Sequence, residues 1–366
     1  MVGHAAATLQ RDAGTAWPVG EAPEGPRWWL SVAPGRLRVG STDLSRGQRA
    51  SERLAARHDA LIAAAVGSGD PVAYLAALRS LGGRGVITLW SGKSRANMVD
   101  RLSTLDYAPE FSARPPAMVT LTLPENWQEY APAGSDFKQL VRRFFKRFER
   151  AWGYSPARLW KLEFQRRGAP HMHLLMVPPT GTAAAGKRAG QAWSEWFAGS
   201  WADVLGVAGE TRRRVEAVHS HRKASADYSE GLRGCDPKRI AVYFLKHNLL
   251  GDKEYQHVVP VEWQAEGAGP GRFWGYSGLR VVTGLVPLTY VQAVAIARTL
   301  RRHHRAQRVR KAIRVWRVDR KTGRMRLRTS HVRSRRMTGV AGMLVVNDGP
   351  TMALWLGAVV EQSRAG

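Results

Sequence analysis

Cysteine is nearly absent from this chain: 366 residues contain one, Cys235. That excludes intrachain disulfides and any zinc site built on several thiolates. Acidic residues are scarce as well. Against 56 Lys and Arg stand 29 Asp and Glu, a formal net charge of +27. An imbalance of this size points to a polyanionic partner, nucleic acid before an anionic membrane surface. Long apolar runs are missing too. The best candidate, "TMALWLGAVV" at 351–360, has ten residues, about half of what a membrane-spanning helix needs. The N-terminal "MVGHAAATLQRD" lacks the basic-then-apolar order of a secretory signal, so a cytoplasmic location is expected. A phosphate loop is also lacking. "SGKS" at 91–94 would need glycine at position 87, which is Ile87, and ATP binding there is excluded. The segment reads instead as a helix start: Ser91 as cap, Lys93 and Arg95 exposed, Met98 and Leu102 turned inward.

What remains is a folded composition, 44% hydrophobic, long enough for two or three domains. Residues 1 to about 80 are rich in Ala, Gly and Arg, with helical stretches such as "SERLAARHDALIAAAVG" and no visible chemistry. From 117 the rhythm changes. "AMVTLTLP" alternates apolar residues with threonine, the pattern of a half-buried strand stopped by Pro124. "SDFKQLVRRFFKRFERAW" predicts an amphipathic helix that buries Phe137, Leu140, Val141, Phe144, Phe145 and Phe148 and presents Lys138, Arg142, Arg143, Lys146 and Arg147 on its other face. "ARLWKLEFQ" and "HMHLLMVPP" read as two strands of a hairpin turned at "RRGAP". "QAWSEWFAGSWADVLG" predicts a helix and "RRRVEAVHS" a strand. "DPKRIAVYFLKHNLLG" carries helix punctuation: Asp236 to cap, Pro237 in the first turn, Gly251 to stop. Beyond 260, "GPGRFWGYSG" reads as a glycine-aromatic loop, a helix is expected at about 287–312, and "WRVDRKTGRMRLR" as a hairpin turning at Lys321-Thr322-Gly323. Residues 301–336 hold 16 Lys or Arg and one acid, Asp319, a segment suited to tracking phosphates rather than reading bases.

The chemistry concentrates in "GAPHMHLLM". On a strand His171 and His173 share one face, and Met172 and Leu174 point into a core. Two imidazoles so spaced can bind one cation. The hairpin brings the face carrying Glu163 and Gln165 alongside them, so Glu163 offers a third, oxygen ligand and Gln165 a fallback. The alternative is a buried Glu–His hydrogen bond without metal. A second His-x-His, His219 and His221, is flanked by Ser220, Arg222 and Lys223. It reads as solvated and cation-repelling. On the helix at 237–250, Tyr243 and Lys246 share a face, with His247 beside them. A phenol is a poor nucleophile at neutral pH. A metal polarising a phosphate, with a lysine neutralising developing charge, would make its attack on phosphorus feasible.

In this order "VTLTLP" (119–124), "PHMHLLM" (170–176) and "YFLK" (243–246) resemble the three motifs of rolling-circle replication initiators of the HUH endonuclease superfamily, bacterial plasmid type. The resemblance spans about residues 117–250, with "SGKSRANMVDRLSTLDY" and "GRFWGYSGL" similar to flanking segments. It implies an α+β fold, a central antiparallel sheet flanked by helices with the histidines on a central strand. It also implies a domain division at 1–105 (helical, basic), 106–260 (endonuclease) and 261–366 (basic, DNA-contacting). His171, His173 and Glu163 would bind a divalent ion, Mn²⁺ or Mg²⁺. Tyr243 would attack one strand of a single-stranded or cruciform DNA origin, leaving a 5′-phosphotyrosine and a 3′-OH primer, and Lys246 would position the phosphate. Host helicase and polymerase are the implied partners. Arg239 stands where some initiators carry a second Tyr or a Glu for termination, and neither Tyr228 nor Glu230 is an evident substitute. An HUH transposase and a non-catalytic basic DNA-binding protein are the competing readings.

Overall fold

The computed structural model describes residues 27–42, 44–75, 85–227, 240, 255–306, 311–318, 325–332 and 339–362. They belong to two compact units, Ser45–Val281 and Met1–Leu44 with Val282–Gly366. The chain enters through an antiparallel hairpin, β1 (Arg27–Ala33) and β2 (Arg36–Thr42), with Leu30 opposite Val39 and Val32 opposite Leu37. All four are buried, as alternating apolar residues on one sheet face should be. This hairpin lies in a region expected to be helical and without strands. The helix expected from "SERLAARHDALIAAAVG" does form, as α1 (Leu44–Gly67).

The larger unit holds the histidines. Helix α2 (Gly92–Leu102) starts as expected: Ser91 accepts a hydrogen bond from the Ser94 N–H at 3.2 Å, and Met98 and Leu102 are buried. Lys93 is exposed, but Arg95 is half-buried, 3.1 Å from His257 Nδ1. The chain continues through β3 (Leu105–Asp106), β4 (Ala117–Thr122), α3 (Gly134–Trp152), β5 (Arg158–Phe164), β6 (Pro170–Met176), α4 (Trp193–Leu205), α5 (Gly209–Ser220), β7 (Trp274–Ser277) and β8 (Arg280–Val281). The main sheet has the order β4-β6-β5-β7, antiparallel throughout. Strand β6 is therefore interior. Helix α3 turns Phe137, Leu140, Phe144, Phe145 and Phe148 inward with Val141 half-buried. It covers the sheet face opposite the histidines, where the rings of Phe137 and Phe164 both meet Trp263. Helix α4 packs beside α3 through Phe144 against Trp196, Phe197 and Trp201. Its carboxylate Asp203 is a charge hub with Arg188 at 3.0 Å, Arg212 at 2.9 Å, and Arg147 and Lys187 at 3.7 Å.

Two elements differ from expectation. "RRRVEAVHS" is helix α5, not a strand, because Val215 and His219, four apart, are its buried positions. The glycine-aromatic loop contains a true strand, β7. Gly275 is required there, since a Cβ would come within 2.5 Å of the Trp160 indole on β5.

In the smaller unit β9 (Gly284–Leu288), α6 (Tyr290–Ala306), β10 (Lys311–Val318), β11 (Met325–Val332), β12 (Gly342–Val345) and α7 (Gly349–Gln362) follow. Helix α6 lies within the expected 287–312. Strands β10 and β11 form the expected hairpin. Strands β9 and β12 flank the first hairpin to give the order β12-β2-β1-β9. The sheet packs on Ala293, Ile296 and Leu300 of α6 and Leu356 of α7. Both units are thus α+β, antiparallel sheets flanked by helices. Among the described residues no helix is long and apolar enough to cross a membrane.

Candidate active site

The histidine face is built by register. In β5–β6, Glu163 lies opposite His171 and Lys161 opposite His173. In β4–β6, Thr122 lies opposite His171 and Thr120 opposite His173. Directly opposed residues share a face, so six polar side chains converge on one side of three strands. Met172 and Leu174 on the reverse side are buried in the core. The five-residue turn 165–169 fixes this register. Gly168 adopts φ +81°, Gln165 N–H donates to the Ala169 carbonyl at 2.9 Å, and the Arg167 guanidinium donates to the carbonyls of Leu123, Pro124 and Glu125.

Contacts within the face form a chain. Lys161 Nζ is 2.7 Å from Glu163 Oε1, and His173 Nε2 is 3.1 Å from Glu163 Oε2. His173 Nδ1 is 3.2 Å from the Thr120 hydroxyl, and the Gln165 amide donates to His171 Nδ1 at 3.4 Å. The two imidazole rings are 4.5 Å apart, nearly perpendicular. Glu163 has no exposed side-chain surface and Lys161 has 1%. Burial alone would raise the Glu163 carboxyl, but the His173 hydrogen bond and then the Lys161 charge hold it well below the usual carboxylate range. It is ionised at pH 7. Burial, and next the neighbouring His173, push His171 well below the ordinary imidazole range. It is neutral at pH 7, with the lone pair a metal ligand needs.

The donor chemistry suits a divalent ion: two imidazoles and an ionised carboxylate on one face. As described, however, both carboxylate oxygens are engaged, one by an ammonium and one by an imidazole. Among the described residues no three His, Cys, Asp or Glu side chains form a group able to hold a metal. Beside His171 opens a recess of about 550 Å³ lined by Thr120, Thr122, Gln165, His219 and His221.

Two participants escaped the sequence reading. Lys161 is one. Its signal is visible afterwards in "KLEF", a lysine two residues before Glu163 on an otherwise apolar strand. His219 is the other, and here the expectation of a solvated pair is corrected. Its side chain is 1% exposed. Its Nδ1–H donates to the Val215 carbonyl at 2.7 Å, and Nε2 accepts from the Thr122 N–H at 3.2 Å. With both nitrogens used, His219 braces β4 against α5 rather than standing free. Tyr243 and Lys246 lie outside the described residues, as do Tyr228, Glu230, Asp236, Pro237, Arg239, His247 and Gly251.

Residues 116–223, under a third of the chain, match the model of a family of replication-associated proteins, the ORF2 type. The matched stretch runs from the start of β4 through β6 and α5, so it contains the entire histidine face and ends before Tyr243. No curated protein and no solved structure gives a significant match.

Proposed function

We propose that this chain initiates DNA replication by nicking one strand of an origin. His171, His173 and Glu163 would hold a divalent ion, whose chemistry when bound is to polarise the scissile phosphate. The Tyr243 oxygen would bond to phosphorus, and the P–O3′ bond would break, leaving a 5′-phosphotyrosine and a free 3′-OH. Lys246 would neutralise the phosphate as charge develops. The phosphotyrosine keeps the energy of the broken ester, so rejoining the strand needs no nucleotide, consistent with the failed phosphate loop. The observation that carries the reading is the cross-strand register Glu163–His171 within the segment similar to replication-associated proteins. The charge of +27 suits the substrate.

The test is incubation of protein and Mn²⁺ with supercoiled DNA carrying the sequence that flanks the gene. An open-circle product with protein attached at its 5′ end is expected. Tyr243→Phe should abolish nicking and attachment while DNA binding persists, and His171→Ala should abolish nicking. Attachment persisting in Tyr243→Phe would remove Tyr243 from the mechanism. No nicking with either metal would leave a non-catalytic DNA-binding protein.

A further inference from the structure

The reverse face of the same sheet carries a second concentration of charge that the nicking chemistry does not use. Between α3 and strands β5 and β6 lies a recess of about 500 Å³. Lys138, Arg142 and Lys146 line it from the helix, Arg158 from β5, and Arg272 from the segment before β7. The indole of Trp160 lies among them, with Lys138 Nζ 5.8 Å from its ring centroid. Glu149 is the single carboxylate of the lining. Among the described residues no acid lies within ion-pair distance of Lys138, Arg142, Lys146 or Arg272, whereas Asp203 on the neighbouring helix draws four cations. Burial first, then the charges of Arg142 and Arg272, bring Lys138 down to about 8. Five cations gathered around one acid leave a local deficit of negative charge.

We propose that this recess is a binding site for single-stranded nucleic acid, taking backbone phosphates on Arg142, Lys146 and Arg272 and a base on Trp160. A recess of this volume admits a nucleotide and not a double helix. An aromatic platform beside a cationic groove is the arrangement that holds unpaired strands, because a base must be free to stack. Met172 and Leu174, which line the floor, are the core-side neighbours of His171 and His173 on β6. One strand of the sheet thus separates this groove from the histidine face, and a bound strand can reach both. The site requires neither Tyr243 nor a metal, so it stands whether or not the chain nicks DNA.

The test uses the full chain, a fluorescein-labelled oligodeoxythymidylate and no divalent ion. Arg142→Ala/Lys146→Ala removes two exposed charges of the groove. Arg143→Ala/Arg213→Ala removes two exposed charges elsewhere. Each phosphate contact on a single strand contributes a salt slope of about 0.7, so losing two should weaken binding by roughly tenfold or more at 0.1 M salt and flatten the slope by about 1.4. The control pair should change affinity less than about twofold. Photo-crosslinking with a 5-iododeoxyuridine oligonucleotide should label the peptide containing Trp160. Equal losses in both pairs, or labelling confined to other peptides, would overturn the assignment. So would a duplex of equal length that binds as well and loses as much in the groove variant.

Discussion

Replacing Lys161 with methionine tests the buried network most directly. The two side chains keep similar length, so the change removes charge more than volume. The ammonium lies 2.7 Å from Glu163 Oε1, with 1% and 0% of the two side chains exposed. Removing one partner of a pair so buried leaves an uncompensated charge and costs about 3–5 kcal/mol. For a unit of this size that lowers the melting temperature by roughly 2–4 °C per kcal/mol. Urea denaturation at pH 7, followed on the transition of the unit formed by residues 45–281, gives the value. The pH dependence supplies the sign. Glu163 has a depressed folded-state pKa. Its ionised form therefore contributes stability above the unfolded carboxylate value, and that contribution fades as pH falls through the folded value. Without Lys161 the depression shrinks, so the gap between variant and wild type should narrow below about pH 4. Lys161→Met/Glu163→Gln should cost less than Lys161→Met alone, because no carboxylate is stranded. A loss under about 1 kcal/mol at pH 7, or one equally large at pH 3, would refute the claim that Lys161 is the countercharge of Glu163.

Three further expectations follow from other parts of the molecule. His219 is held neutral, burial bringing it down to about 4. The unfolded chain therefore takes up its proton first, stability falls by about 1.4 kcal/mol per pH unit between roughly 6.5 and 4, and His219→Gln should remove that part of the slope in urea titrations across pH. Asp203→Asn should cost about 2–3 kcal/mol by thermal denaturation, since a carboxylate 5% exposed accepts from Arg188 and Arg212. Gly349→Ala drives a Cβ into the Ala33 carbonyl. It should cost about 1–3 kcal/mol in the smaller unit and leave the transition of the larger one in place, as two-wave calorimetry would show.

Legibility in the sequence tracked locality. The β5–β6 hairpin, its facing of Glu163 and Gln165 toward the histidines, and the buried face of α3 all rest on short-range periodicity and one tight turn, and they formed as expected. Helix α5 was misread because "VEAV" is too short to separate a period of two from one of 3.6. That error carried His219 onto the wrong surface: its burial follows from sitting four residues after Val215, and its basic neighbours point elsewhere. Strand β7 was hidden by its glycine, whose cause is an indole 115 positions earlier. The pairing of β1 and β2 with β9 and β12 involves partners hundreds of positions away, which no local pattern specifies.

That last pairing has a consequence for biosynthesis. Strand β1 leaves the ribosome about 250 residues before β9, its outer neighbour, is made. At about 5–20 residues per second this is an interval of roughly 12–50 s. During it the hairpin of Trp28, Trp29 and Leu30 has neither flanking strand nor the helices that cover it, while the chain of the larger unit is already complete. The nascent protein therefore holds an apolar hairpin open beside a domain free to fold. In that window a holding chaperone should find its substrate, and a ribosome stalled before residue 284 should display that hairpin.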